Sequence, residues 1–170
     1  MNSPTRRAKL FEVLILTLLG VLMYVTQVIL ASLPNIETVS LLIIITTSVF
    51  GVKALCSVYI FVICEIFTYG IHIWSINYLY VWAILCIAVL LTRKFESREF
   101  YALLSAIFGL LFGTLCSIPY FITGGIAGGV SYIIQGFLYD ILHCVGNLVL
   151  TYLLFSPLKS VLVKTVNKYS

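Results

Sequence analysis

Charged residues are scarce in this sequence. Lys, Arg, Asp and Glu make up 9% of the 170 positions and apolar residues 62%, whereas a typical soluble domain is about 25% charged and about 45 to 50% apolar. So few charges cannot cover the surface of a soluble domain of this length. The composition therefore argues against a soluble fold and predicts an all-α integral membrane protein. We expect a single domain over residues 1–170, because no linker or internal repeat divides the chain.

Motifs of membrane enzymes and of ATP-driven motors are also missing. The chain contains no G-x-S-x-G, no H-E-x-x-H and no G-x-x-x-x-G-K-[ST]. Its two histidines, His72 and His143, have no second His or Cys at a ligand spacing, apart from the adjacent Cys144, which points to another face. The five cysteines form no C-x-x-C pair and are predicted to be free thiols. We expect neither catalysis nor a metal or cofactor.

Long apolar runs, by contrast, fill most of the sequence. A membrane-spanning helix needs about 20 predominantly apolar residues. Six runs are candidates, of which the second is short: Leu10–Leu33, Thr38–Phe50, Val52–Gly70, Trp74–Thr92, Phe100–Tyr120 and Gly128–Phe155. Pro119 is expected to end or kink the fifth helix, and Pro157 follows the predicted end of the sixth.

The basic residues alternate with these runs. All ten lie before the first, between the second and third, between the fourth and fifth, or after the sixth: Arg6, Arg7, Lys9, Lys53, Arg93, Lys94, Arg98, Lys159, Lys164 and Lys168. Short cytoplasmic loops carry an excess of Lys and Arg. The sequence thus predicts six transmembrane helices with both termini in the cytoplasm. Because the basic residues form no patch, no nucleic-acid partner is expected.

A few polar residues interrupt the apolar runs at membrane depth, where ionisable side chains are costly and often functional. Glu65, Tyr69 and His72 share one face of the third helix, and Asp140, His143 and Asn147 share one face of the sixth. We predict a substrate pocket at the outer side of the membrane, with two loop residues in its lid. The remaining predicted members are Asn77, Tyr78, Tyr132, Gln135 and Tyr139 in the pocket and Asn35 and Glu37 in the lid. The alternative is that these side chains only join helices through hydrogen bonds.

The outer side also carries an unbalanced negative charge. Glu37, Glu65 and Asp140 lie there without any Lys or Arg, so an anionic ligand would lack a permanent positive partner. We expect a neutral or cationic ligand. The glycine run at positions 124, 125, 128 and 129 fits either a mobile lid or a tight turn.

Three segments carry a resemblance to a known family: L-P-N-I-E-T-V-S-L-L-I (Leu33–Ile43), S-I-N-Y-L-Y-V-W (Ser75–Trp82) and D-I-L-H-C-V-G-N (Asp140–Asn147). Together with the chain length, the six runs and the outward pocket, they resemble the substrate-binding S-components of energy-coupling factor transporters.

This resemblance implies a multi-pass protein of a bacterial cell membrane with two kinds of partner: a transmembrane coupling subunit and two cytoplasmic ATPase subunits. It implies capture of a vitamin or vitamin-like molecule from outside, with cobalamin as the nearest subfamily. The usual A-x-x-x-A docking patch on the first helix is absent, and Thr17 and Gly20 are the small residues there that remain for docking. A stand-alone proton-coupled carrier, or a structural membrane partner, is the alternative function.

Overall fold

The computed structural model describes residues 3–169, with side chains for residues 7–168, so the side chain of Arg6 lies outside the described part. Six α-helices follow one another: α1 Ser3–Ile29, α2 Val39–Phe50, α3 Ala54–Tyr69, α4 Ile73–Thr92, α5 Arg98–Cys116 and α6 Ile118–Tyr169. Two short 3-10 turns, Gly51–Lys53 and Arg93–Phe95, join α2 to α3 and lead out of α4. No strand occurs among residues 3–169, which confirms the all-α prediction.

Five stretches of the described chain are long and apolar enough to cross a membrane: Arg7–Ile29, Val39–Tyr69, Ile73–Phe95, Arg98–Cys116 and Ile118–Lys168. The chain is therefore a multi-pass membrane protein. The second stretch holds both α2 and α3. Because α2 has only 12 residues, it is about 18 Å long, less than the roughly 30 Å of a hydrocarbon core. Six separate spans and cytoplasmic termini remain predictions.

The short helix α2 lies inside the helix bundle. All its residues from Val39 to Ser48 are buried, and its hydroxyl groups find partners within the protein, as membrane depth requires. Thr46 Oγ1 donates to the Leu42 carbonyl (2.6 Å), and Thr47 Oγ1 lies 3.2 Å from Cys86 Sγ. Since the loop from residue 30 to residue 38 leads directly into α2, it also enters the bundle and brings Glu37 to a buried position.

Helices α5 and α6 pack closely because two glycines of α5 face α6. A Cβ atom on Gly109 would lie 2.8 Å from the carbonyl carbon of His143, and one on Gly113 would collide with the Asp140 carboxylate. Glycines four residues apart commonly form such contacts between membrane helices. This packing places Asp140 and His143 directly beside α5.

The last helix differs from the predicted boundaries at both ends. Helix α5 already ends at Cys116, and α6 begins at Ile118, so Pro119 lies in the first turn of α6, where a missing N–H costs little. A break at Gly125 (φ 63°) divides α6, and the rings of Tyr120 and Tyr132 stack across it at 4.2 Å. The predicted end at Phe155 is wrong, because α6 continues through Pro157 to Tyr169; membrane helices tolerate an internal proline.

Three of the six acidic residues form ion pairs with basic residues. Lys53 pairs with Glu12, Lys159 with Glu96, and Arg98 with Glu99. The remaining acidic residues, Glu37, Glu65 and Asp140, form no ion pair with a Lys or Arg among the residues whose side chains are described.

Candidate functional site

Three cavities lie among the helices that carry the predicted pocket residues. The loop cavity (about 310 Å³) is lined by residues of the 30–38 loop and by Gln27, Trp74, Tyr78, Trp82, Phe112 and His143. The α6 cavity (about 450 Å³) is lined by Asn35, Trp74, Phe112, Gly113, Tyr132, Gln135, Gly136, Tyr139 and Asp140. The α3–α4 cavity (about 200 Å³) is lined by Glu65, Tyr69, His72, Trp74, Ser75 and Tyr78. Trp74 borders all three.

The predicted single pocket is thus divided. The loop cavity is lined by four of the predicted residues: Asn35, Glu37, Tyr78 and His143. The α6 cavity is lined by five: Asn35, Tyr132, Gln135, Tyr139 and Asp140. The α3–α4 cavity is lined by four: Glu65, Tyr69, His72 and Tyr78. Asn77 and Asn147 line none of the three. The hydroxyl of Tyr80 lies 2.9 Å from Asn77 Oδ1 and 2.7 Å from the Leu115 carbonyl oxygen, so Asn77 belongs to the contact between α4 and α5.

A buried carboxylate and imidazole form the floor of the loop cavity. Glu37 Oε1 lies 3.1 Å from His143 Nε2, and Glu37 Oε2 accepts a hydrogen bond from the Ser40 amide (2.9 Å) in the first turn of α2. Burial alone would raise the pKa of Glu37, but the hydrogen bond and charge of His143, with the hydrogen bonds of Ser40, outweigh it and hold this pKa below 4.5. The contacts with His143 and Ser40 therefore favour the ionised form of Glu37.

Asn147, one helical turn after His143, joins three helices. Its amide Nδ2 donates to Ser40 Oγ of α2 and to the Ser105 carbonyl of α5, both at 3.2 Å. All three residues are buried. Asn147 therefore fits the alternative prediction, in which a polar side chain only joins helices through hydrogen bonds. Its contacts stabilise the part of α6 that carries His143.

Asp140 joins α6 to α5 and also faces a cavity. Its Oδ1 accepts a hydrogen bond from the Gly113 amide (2.9 Å). Within residues 3–169, its Oδ2 accepts no hydrogen bond, although the residue is only 4% exposed and lines the α6 cavity. A carboxylate oxygen in this position is available to a hydrogen-bond donor or a cation on a ligand.

Aromatic side chains make up the wall between the loop cavity and the helix core. The Trp82 ring lies 5.4 Å from both Tyr78 and Phe112 and 5.9 Å from Phe61, at angles typical of favourable aromatic pairs. Phe112 also contacts the His143 ring at 4.9 Å. The sequence prediction left Trp82, Phe112 and Gln27 out of the pocket. Trp82 follows Tyr78 by one turn, a usable signal, whereas Phe112 and Gln27 have no distinctive pattern.

The 30–38 loop is held across the two larger cavities by Asn35. Asn35 has a positive φ of 54°, and its Nδ2 donates to the Tyr139 carbonyl of α6 at 2.9 Å. Asn35 borders both the loop cavity and the α6 cavity, and its role in a lid stays a prediction. The structure shows the 124–129 glycines in a kinked helix, with Gly129 against the Phe121 ring.

Asn35 permits a matched pair of substitutions. Asn35→Ala is expected to lower the free energy of unfolding by about 1 to 3 kcal/mol. Alanine cannot make the hydrogen bond to Tyr139, and it adopts a positive φ less readily than asparagine does. Asn35→Gly loses the bond but relieves the backbone, so it is expected to cost less than alanine. Thermal unfolding of the two purified variants in detergent tests this order, and equal stabilities would contradict it.

The two residues predicted to dock a coupling subunit differ in location. Gly20 is buried in the bundle, where a Cβ would lie 2.6 Å from the Ser57 carbonyl oxygen of α3. Thr17 is exposed, with its hydroxyl bonded to the Val13 carbonyl of its own helix. Of the two, only Thr17 therefore lies on a surface open to a partner.

No family model, curated protein or solved structure matches this chain.

Proposed function

We propose that this chain is the substrate-binding membrane subunit of an energy-coupling factor importer in a bacterial cell membrane. In this proposal it captures a neutral or cationic vitamin-like molecule from the outer side, and a transmembrane coupling subunit with two cytoplasmic ATPase subunits drives uptake. The chain itself supplies binding and no catalysis.

One observation carries this proposal. The two larger cavities combine aromatic walls with two buried acidic residues, Glu37 and Asp140, and none of their lining residues is a Lys or Arg. Mostly apolar cavities with a few fixed polar groups are the usual form of small-molecule sites. The free Oδ2 of Asp140 gives a donor or cationic group on the ligand a specific anchor.

Cavity size favours a small ligand. Volumes of about 310 and 450 Å³ lie at the lower end of the range of about 300 to 1,000 Å³ for small-molecule sites. A compound of one or two rings is therefore favoured over cobalamin, the ligand of the subfamily that the sequence resembles most. Cobalamin would require the 30–38 loop to move and the two cavities to join.

A proton-coupled carrier is the second candidate. The buried contact between Glu37 and His143 supports it, because titratable groups inside a membrane bundle are a common part of proton relays. Such a carrier would need no ATPase partner.

Uptake in cells separates the two candidates. The chain is expressed in bacteria with and without the coupling subunit and the two ATPases, and accumulation of labelled vitamins is measured. The importer proposal predicts accumulation only with the full set, abolished by ATPase-inactive partner subunits. Accumulation by the chain alone that a protonophore abolishes would contradict it and favour the carrier.

A further inference from the structure

The α3–α4 cavity contains a carboxylate, that of Glu65, which the proposed capture site does not use. It lies where α3 ends and α4 begins, and its lining includes one carboxylate and three aromatic rings, those of Tyr69, Trp74 and Tyr78. The Trp74 and Tyr78 rings meet edge to face at 6.4 Å and 90°. Its volume of about 200 Å³ is smaller than that of the other two cavities.

The carboxylate of this cavity is incompletely paired. Glu65 Oε1 is buried and has no hydrogen-bond partner among the described residues. Lys53 is the basic residue nearest to Glu65 in the sequence. It precedes Glu65 by 12 positions, which is about 18 Å along a helix, and it pairs with Glu12. His72 lines the same cavity, but within residues 3–169 no ion pair joins it to Glu65. A buried carboxylate oxygen without a partner is costly, so an occupant that supplies positive charge would be stabilised there.

Hydrogen bonds order the turn that joins the two helices beside this cavity. Gly70 (φ 82°) ends α3 with its amide bonded to the Ile66 carbonyl at 2.9 Å. Ser75 Oγ donates to the Gly70 carbonyl at 2.9 Å and lies 3.3 Å from the His72 amide nitrogen. A site that needs little rearrangement binds its ligand at a lower entropic cost.

We propose that the α3–α4 cavity is a separate binding site for a small alkylammonium ion, with Glu65 as counter-ion and Trp74 and Tyr78 as the aromatic wall. Cations are attracted to aromatic faces, and quaternary ammonium groups are commonly bound in aromatic cages. An inorganic cation is less well served, because it requires several oxygen ligands, whereas the cavity offers a single carboxylate and otherwise only the neutral hydroxyls of Tyr69, Ser75 and Tyr78. This site shares Trp74 and Tyr78 with the loop cavity, but its counter-ion, Glu65, lines neither of the two larger cavities.

Tetramethylammonium chloride is the probe for this site. It is titrated into the detergent-purified full-length chain, with binding followed by calorimetry and by fluorescence of the two tryptophans, Trp74 and Trp82. Sodium chloride at equal ionic strength and the neutral alcohol tert-butanol are the comparison ligands. We expect saturable binding of tetramethylammonium alone, weakened about tenfold or more by Glu65→Gln.

Two variants make the result specific. Asp140→Asn, in the α6 cavity, should leave tetramethylammonium affinity unchanged, and Trp74→Phe should remove the fluorescence response. Thermal unfolding confirms that Glu65→Gln is folded before it is titrated. Equal affinity in Glu65→Gln, equal binding of sodium, or no saturable binding by the folded wild-type chain would each overturn the site. None of these results changes the expectation for vitamin binding, which is tested separately with Asp140→Asn.

Discussion

Replacing His143 with alanine is expected to lower the free energy of unfolding by about 3 to 5 kcal/mol, the usual cost of leaving a buried carboxylate without its partner. His143 is 3% exposed and Glu37 7% exposed, and their side chains lie 3.1 Å apart. Without the imidazole, the Glu37 carboxylate would lose its contact with α6 and retain its hydrogen bonds from Ser40. Reversible unfolding in detergent, followed by circular dichroism, measures the loss.

A double-mutant cycle separates this pair from simple loss of packing. Glu37→Leu and His143→Leu are measured singly and together. Because each single variant leaves an unpaired buried group, the double variant is expected to cost less than the sum of the two by at least about 1 kcal/mol. Strictly additive costs would show that the two side chains are not coupled.

Acidification should act on the same pair. The pKa of Glu37 is lower in the folded chain than its ordinary value of 4.5, so the carboxylate contributes stability that is fully present above pH 4.5 and is lost as the pH falls through its folded value. Comparing wild type with Glu37→Gln above and below pH 4.5 measures that contribution, and the difference in stability should shrink as the pH falls.

Gly109→Ala is expected to be the most damaging single-methyl addition at the interface of α5 and α6. Its Cβ would lie 2.8 Å from the His143 carbonyl carbon and 2.9 Å from the Cys144 amide nitrogen, both backbone atoms that no side-chain rotation can move away. The helices would have to separate, at a cost of about 1 to 3 kcal/mol or more. The loss should appear as a lower unfolding temperature in detergent.

Gly136→Ala is the matched control, because nothing lies within 4 Å of a Cβ at that position. Glycine is about 1 kcal/mol less favourable than alanine inside a helix, so this variant should be as stable as wild type or slightly more so. If Gly109→Ala and Gly136→Ala had the same stability, the close contact between α5 and α6 would be excluded.

The sequence predicted the membrane class and most helices because apolar runs and their interruptions are local properties. Boundaries failed where tertiary packing decided the outcome. Pro157 remains inside α6, and the loop before α2 folds into the bundle, where Glu37 meets a histidine 106 residues later in the chain. No periodicity within one helix contains that information.

The candidate site shows the same division. Helical spacing correctly placed Asp140, His143 and Asn147 on a buried face of α6, but it could not separate a ligand anchor from a structural contact. It also could not show that Glu65 and Asp140 border different cavities, because that depends on how α3, α4 and α6 pack. Phe112 was missed since one phenylalanine among eleven carries no distinguishing pattern.

Equilibrium binding of a vitamin panel to the purified chain tests the central claim most directly. Calorimetry with pyridoxine, thiamine, riboflavin, folate and cobalamin is run on wild type and on Asp140→Asn. We expect submicromolar binding of one neutral or cationic member by wild type and its loss in Asp140→Asn. Absence of binding across the panel, or equal affinity in Asp140→Asn, would contradict capture in the α6 cavity.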